Sequence, residues 1–415
     1  MKLVVEIAKT HLVSKPKQTL IAMLGVTFGI GMFIALVSLM TGLNDFTEDL
    51  TMASSADIRI YNDITESRAS IAEEVNANGI NIVHHQKPKK ETAKVRNALQ
   101  ITEMIRRDPR VLGVAPTLSS QVFYNYGPVE LPGNISGVDI LEEDKLFDLR
   151  SKMKAGQIED LLANNDGIII GTGIARKMNV KVGDRIVITT PQGHTMPLKI
   201  VGLFQMGIGT IDNVRSYANI STVQTILQQD HSYITDINIK LIDLLQAKAI
   251  ASEYQAMFGY KAEDWETANS TFLTGIVIRN IITYSVSFTL LIVAGFGIYN
   301  ILNMTIMNKM KDIAILKAMG FSGKDVRLIF MIQSLVIGFM GSVAGLCIGY
   351  VLSYLIAQAP FDGGDMVSLD HFPVNFHAKY YITGIVFGVL TTALAGYMPS
   401  RKAAYVDPIE IIRGQ

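Results

Sequence analysis

The sequence predicts an α-helical membrane protein with four transmembrane helices, one before and three after a large mixed α/β domain on the outer side. Three observations carry that prediction. Four stretches, residues 18–44, 280–308, 328–361 and 380–400, contain no Asp, Glu, Lys, Arg or His, and each reaches the ~20 apolar residues that a bilayer span needs. Basic residues cluster beside alternate ends of these stretches. Only 18% of the 415 residues are charged, against ~25% in soluble chains, and the deficit is concentrated in the four stretches.

Residues 1–17 read as a cytoplasmic amphipathic segment, with Lys9, Lys15 and Lys17 ahead of the first span, 18–44. A cleaved signal fits poorly, because the apolar run exceeds the ~7–15 residues of a signal core and no A-x-A pattern follows. Asp45, Glu48 and Asp49 come next, so the block 45–275 lies outside. After the second span, 276–308, the loop 309–327 holds Lys309, Lys311, Lys317, Lys324 and Arg327 and is placed in the cytoplasm, since Lys and Arg resist translocation. The third span, 328–358, leads to an outer loop, 359–379, with Asp362, Asp365 and Asp370. The fourth span, 380–400, precedes a tail, 401–415, with Arg401, Lys402 and Arg413. Both termini are thus expected in the cytoplasm.

Within the outer block, residues 56–61 alternate as a strand and 62–91 form a polar insertion. Helical spacing over 98–107 stops at Pro109. Strands are expected at 111–114, 121–124, 167–170, 185–189 and 237–240, helices at 171–178 and 244–258, and a turn at Gly183-Asp184.

Several chemistries lack their residues. Lys and Arg balance Asp and Glu at 37 each, so no net field recruits nucleic acid. Cys347 is the sole cysteine, which excludes an internal disulfide and a thiolate zinc cluster. Uncharged spans argue against an ion or proton pathway. Gly320-Phe321-Ser322-Gly323-Lys324-Asp325 lacks the first glycine and the Ser/Thr of a phosphate-binding loop, so no ATPase site of its own is expected. Gly171-Thr172-Gly173 has Arg176 where a dinucleotide loop has its third glycine. His84-His85 sits in a polar stretch and reads as solvated, and no metal site, hydrolase motif or catalytic residue is assigned.

Between the second and third spans, Met310, Ile313 and Leu316 recur at i, i+3, i+6 among Lys311 and Lys317, a short amphipathic helix with Gly320 as its cap. Ser322 and Asp325 then resemble a capping signal. The helix is either an interfacial element on anionic lipid or the docking site of a cytoplasmic partner. Gly341, Gly345 and Gly349 recur every fourth residue in the third span, as do Gly25 and Gly29 in the first and Gly384 and Gly388 in the fourth. Such faces allow close helix packing. A dimer packed through the first two spans is expected.

The motif Lys311-Asp312-Ile313-Ala314-Ile315-Leu316-Lys317-Ala318-Met319-Gly320 and the later Pro399-Ser400-Arg401-Lys402-Ala403-Ala404 with Asp407-Pro408 resemble those of the type VII ABC transporter permeases, the MacB/FtsX superfamily. Gly42-Leu43-Asn44-Asp45-Phe46 and Gly295-Phe296-Gly297-Ile298-Tyr299-Asn300-Ile301 resemble most the lipoprotein-releasing LolC/LolE-type permeases. The resemblance implies a porter subdomain from about 45–115 and 220–270, with a β-rich subdomain inserted at about 116–219. It implies a separate cytoplasmic ABC ATPase, holding ATP and magnesium, docked at Met310, Lys311, Ile313, Leu316, Lys317 and Gly320. Also implied are a bacterial inner-membrane location, a second permease copy or paralogue, contact with membrane lipid and a periplasmic chaperone or outer-membrane factor. The family's chaperone-holding hairpin is here a short turn, Pro191-Gln192-Gly193-His194-Thr195-Met196-Pro197. The implied activity is release or export of lipoproteins or another amphiphile. The alternatives are a MacB-like exporter of peptides or drugs and an FtsX-like transmitter to a periplasmic enzyme. For cargo, Met32, Phe33, Leu36, Val37 and Met40 with Phe272, Ile276, Ile282 and Val286 are expected to line an apolar chamber shared by two subunits.

Overall fold

The computed structural model describes residues 2–14, 16–63, 93–360, 371–407, 409 and 411. Asp362, Asp365, Asp370, Arg413, His84-His85 and all of the insertion 62–91 except Asn62 and Asp63 lie outside the described residues. The elements run α1 (Lys2–Ser14), α2 (Pro16–Ser54), β1 (Ile58–Tyr61), α3 (Ala98–Arg106), β2 (Val111–Tyr126), β3 (Val129–Val138), α4 (Ile140–Phe147), β4 (Met153–Ala155) and α5 (Glu159–Ala163). They continue with β5 (Gly167–Gly171), α6 (Thr172–Met178), β6 (Arg185–Thr189), β7 (Thr195–Phe204), β8 (Arg215–Asn219), α7 (Ile220–Ile226), β9 (Asp236–Leu241), α8 (Ala247–Phe258) and β10 (Lys261–Asp264). The long helices α9 (Ser270–Asn308), α11 (Gly323–Gln358) and α12 (Ala378–Ala404) follow, with the short α10 (Met310–Ala318) between the first two. Single helical turns stand at Gly209–Asp212 and Trp265–Ala268.

The chain forms two compact units. One is helical, built from Met1–Thr47, Phe272–Phe361 and Asp370–Gln415, and the other is α/β, built around Glu48–Thr271. Helices α2, α9, α11 and α12 are each long and apolar enough to cross a membrane. Helix α2 runs past the first uncharged stretch, since Asp45, Glu48 and Asp49 end an apolar run but neither Gly nor Pro interrupts the helix before Ser54.

In the α/β unit the strands follow the order β10-β1-β9-β2-β3-β8-β5-β7-β4, with β6 paired to β2 and β7. Two pairs, β3 with β8 and β5 with β7, are parallel. The fully buried β5 reads Gly-Ile-Ile-Ile-Gly, the continuous apolar run of a strand covered on both faces, while β6 alternates exposed and buried residues. The two strands expected at 111–114 and 121–124 are a single sixteen-residue strand, β2. Gly113, Pro116 and Ser119-Ser120 lie within it: up to Thr117 β2 pairs only with β9, and a strand paired on one side tolerates proline. From Leu118 onward its partner is β3. One core therefore gathers both ends of the unit, including Ile58, Ile60, Ile105, Ile237, Ile239 and Ile250. A second core packs Leu118, Val122, Ile168, Ile188 and Ile200, and a third joins Ile140, Leu149, Phe204 and Tyr217.

The short turn predicted at 191–197 is the tip of a β6–β7 hairpin, closed by Thr189 opposite Thr195 with Gly193 at φ +89°.

Candidate functional site

Helix α10 is fixed at its C-terminal end by backbone chemistry. Its C-terminus closes as a Schellman motif, with Gly320 N–H donating to Lys317 O at 3.1 Å and Phe321 N–H to Leu316 O at 3.2 Å. Gly320 has φ +99°, which a side chain would strain. Two residues on, Ser322 and Asp325 form a capping box that starts α11. The amide-bonded turn between the helices leaves α10 little freedom to move independently of α11.

The inner face of α10 holds it to the ends of its neighbours. Ile313, only 1% exposed, packs with Ile306, Val326, Phe330, Ala403 and Val406, and Met310 lies at the margin of that cluster. The Lys317 ammonium donates to Ala404 O at 3.0 Å and Val406 O at 2.6 Å, bonding the last turn of α12 and the residues after it. At Gly323 an added Cβ would stand 2.8 Å from Ala404 O. The two motifs quoted from the sequence thus form a single clamp.

Of the docking residues expected at Met310, Lys311, Ile313, Leu316, Lys317 and Gly320, two are engaged within the helical unit instead of facing a partner. Ile313 is core and Lys317 is a tie. Leu316 is half-buried and lines a groove of about 460 Å³ with Leu3, Ile7 and His11 of α1. Burial and Lys309 hold the His11 imidazole below its ordinary pKa. Ile315, 53% exposed, and Met319, 72% exposed, form the bare apolar surface beside exposed Lys311. Helical phase alone does not choose between the Ile313 and Ile315 faces, since each has apolar members.

Gly341, Gly345 and Gly349 pack within the chain, against α2. A Cβ at these positions would stand 2.8 Å from Val26 Cβ, 2.9 Å from Ile30 Cβ and 2.9 Å from Ile34 Cβ. Thr27 Oγ1 donates to Gly341 O at 3.1 Å across the same contact.

The residues expected to line a shared chamber divide. Phe33 and Val37 are buried with Ile30, Ile34 and Tyr380 inside the helical unit, so they are packing residues and not cargo surface. Leu36, Met40, Phe272 and Ile276 are half-buried, while Met32, Ile282 and Val286 are exposed. Sequence reasoning did not find the apolar cavity of about 640 Å³ between α9 and α12, lined by Phe288, Leu291, Phe296, Phe387, Leu390 and Leu394. In an apolar span, every face resembles a cavity wall.

In the α/β unit, the segments that lead from α2 and toward α9 are bonded to each other. Strand β1 pairs with β10 from Ile58 opposite Asp264, and Trp265 N–H donates to Asp57 O at 3.0 Å. The Asp57 carboxylate accepts from Lys240 Nζ and from Leu241 N–H, both at 2.8 Å, and Lys240 also donates to Met52 O at 3.2 Å. Asp264 caps the turn at Trp265–Ala268 through the Thr267 hydroxyl and N–H. Among the described residues no group of three or more His, Cys, Asp or Glu is placed to hold a metal ion.

Four apolar helices, a sheet unit with its own hydrophobic cores and a clamped inter-helix segment define a class. A family model of the MacB-like periplasmic core domain matches residues 19–257, more than half the chain, and one of the FtsX-like permease C-terminal matches residues 284–408. The chain belongs to the MacB/FtsX family of ABC transporter permeases and is a multi-pass membrane protein with a periplasmic domain.

Among its relatives is the lipoprotein-releasing system transmembrane protein LolC of Xylella fastidiosa (strain 9a5c), 27% identical over 74% of this chain and 78% of that protein. The lipoprotein-releasing system transmembrane protein LolE of Haemophilus influenzae is 22% identical over 96% of each chain. The macrolide export ATP-binding/permease protein MacB of Photorhabdus laumondii is 23% identical over 95% of this chain and 58% of its own length.

Proposed function

We propose that this chain is the permease subunit of an ATP-driven transporter that releases or exports lipoproteins or another amphiphile at a bacterial inner membrane. ATP and magnesium sit in a separate cytoplasmic ATPase, and a second copy or a paralogue completes the permease pair. One span precedes the outer domain, three follow it, and both termini face the cytoplasm. The clamp carries this reading: α10 is locked by Ile313 and Lys317 to α11 and α12 yet leaves Ile315 and Met319 bare for a partner. A push on α10 then moves two spans together, and Asp57 and Trp265 tie together the segments next to the other two. The similarity to LolC and LolE supports the choice of cargo.

The test is a double substitution, Ile315→Asp with Met319→Asp, in the full permease. Removing two apolar contacts of about 1.5–3 kcal/mol each lowers affinity for the ATPase at least about tenfold, with insertion unchanged. Ile313→Asp, by contrast, places a charge in the cluster beneath α10 and lowers stability. Undiminished ATPase binding by the Ile315/Met319 double variant would sink the docking assignment. For cargo, photocrosslinkers at Met40 and Phe272 are expected to capture a lipoprotein or amphiphile, and capture by neither removes the chamber.

A further inference from the structure

A cavity of about 280 Å³ lies on the polar face of the α/β unit, over the strands β1, β9, β2, β3 and β8. That volume is at the small end of ligand pockets and suits a molecule of amino-acid size. Its floor is made of short polar side chains that bond one another: Asn238 Nδ2 donates to Thr117 Oγ1 at 3.1 Å and Ser119 Oγ to Asn134 Oδ1 at 3.0 Å. Its edges include Ser54 and Ala56 at one connecting segment and Ala268 and Asn269 at the other.

The charged groups lining it differ in how they are satisfied. Asp236 is fully engaged, accepting from Arg59 Nε at 2.6 Å and from Thr235 Oγ1 at 2.5 Å. Glu263 accepts from Tyr61 OH at 3.1 Å. Glu143 is not satisfied. It lines the cavity, is 3% exposed, and its buried Oε2 accepts no hydrogen bond. Leaving a buried carboxylate oxygen without a donor is costly, so a native site with such a group calls for a donor from outside the chain. Arg215, also on the cavity wall, lies beside Tyr217 and acts on Glu143 through its charge. An acid with an unpaired oxygen and a guanidinium on the wall of the same cavity present a negative and a positive contact to a single occupant.

We propose that this cavity binds a small zwitterion, with the ligand's ammonium group donating to Glu143 and its anionic end accepting from Arg215. A free amino acid or dipeptide and the ethanolamine headgroup of a phospholipid share that chemistry. The polar floor satisfies the remaining hydrogen-bonding groups. Because the edges belong to both connecting segments, an occupant also joins these segments through its own contacts. This site is independent of the docking face on α10.

The experiment is calorimetric titration of the full-length protein in nanodiscs with glycylglycine, O-phosphoethanolamine, ethylamine and acetate at up to millimolar concentrations. Saturable binding of at least one of the two zwitterions, with neither ethylamine nor acetate binding, is expected, and which zwitterion binds more tightly identifies the source. Glu143→Gln, which keeps the shape and removes the charge, is expected to weaken binding at least about tenfold. Should that variant fail to fold by circular dichroism, Ser119→Leu, which fills the cavity from its floor, is expected to abolish binding. Binding by neither zwitterion, or equal binding by the wild type and the variant read, overturns the proposal.

Discussion

Asp57 is a residue whose carboxylate accepts two hydrogen bonds, and neither is visible in sequence. Its partner Lys240 is 183 positions away, and the contact exists only because β1 and β9 are neighbours. Both side chains are largely buried, so Asp57→Ala leaves the Lys240 ammonium and the Leu241 N–H without an acceptor. A loss of about 3 kcal/mol is expected in chemical denaturation of the α/β unit, and an unchanged midpoint would show that the pair contributes nothing. Glu143 was hidden for a different reason. In Glu142-Glu143-Asp144 it looks like one more solvated acid, although Ile140, Glu143, Leu146 and Phe147 share the inward face of α4. That phase was the available signal. Burial raises its carboxyl to about 7, against a smaller opposing pull from Arg215. The folded form therefore holds its proton more tightly than the unfolded chain, and this contribution to stability is present below the ordinary value of 4.5 and is lost as pH rises through about 7. The loss is on the order of 3 kcal/mol. Melts of wild type and Glu143→Gln from pH 4 to 8, compared by difference, should show the slope in the wild type alone.

At the scale of elements, the sequence was legible wherever one segment's own pattern decided its form. Gly167 to Gly171 as a strand, the helix starting at Ala98 and the capping box at Ser322 are all found close to where residue pattern placed them. What pattern did not decide was the neighbour. The switch of β2 from β9 to β3 after Thr117, and the burial of Ile313 beneath α10, both depend on elements distant in the chain. Glycine spacing has the same limit. Gly25 and Gly345 belong to the same kind of repeat, yet an added Cβ at Gly25 meets nothing within 4 Å while at Gly345 it would stand 2.9 Å from both Thr27 O and Ile30 Cβ. Gly345→Leu is therefore expected to separate α11 from α2 and to cost about 1–3 kcal/mol or more. Gly25→Leu adds an apolar side chain on an exposed face and is expected to be neutral. Thermal unfolding of the two variants in detergent distinguishes them, and equal effects would mean that the α2–α11 contact does not depend on close approach.

For the molecule as a whole, the proposed membrane orientation rests on charge asymmetry, and the structure determines where it is best tested. In the proposed topology the basic residues of the 309–327 loop resist translocation and keep α10 in the cytoplasm, with Glu48–Thr271 on the other side. A reporter in the outer domain must be reachable by reagent, and a buried acid such as Asp212, which accepts from the Met206 and Gly207 amides, would report burial instead of sidedness. Leu245 is 94% exposed and Lys311 is exposed on α10, so cysteines at these two positions read topology directly. Cys347 is exposed on α11 and must be removed first. In a Cys347→Ser background, an impermeant maleimide added to sealed spheroplasts should label the Leu245→Cys protein and leave Lys311→Cys unlabelled until the membrane is opened. The opposite pattern would invert the protein, placing the clamp beyond the reach of any cytoplasmic ATPase. Equal labelling of both would mean that α9 does not cross the membrane, because α9 is the one apolar helix between residue 245 and residue 311.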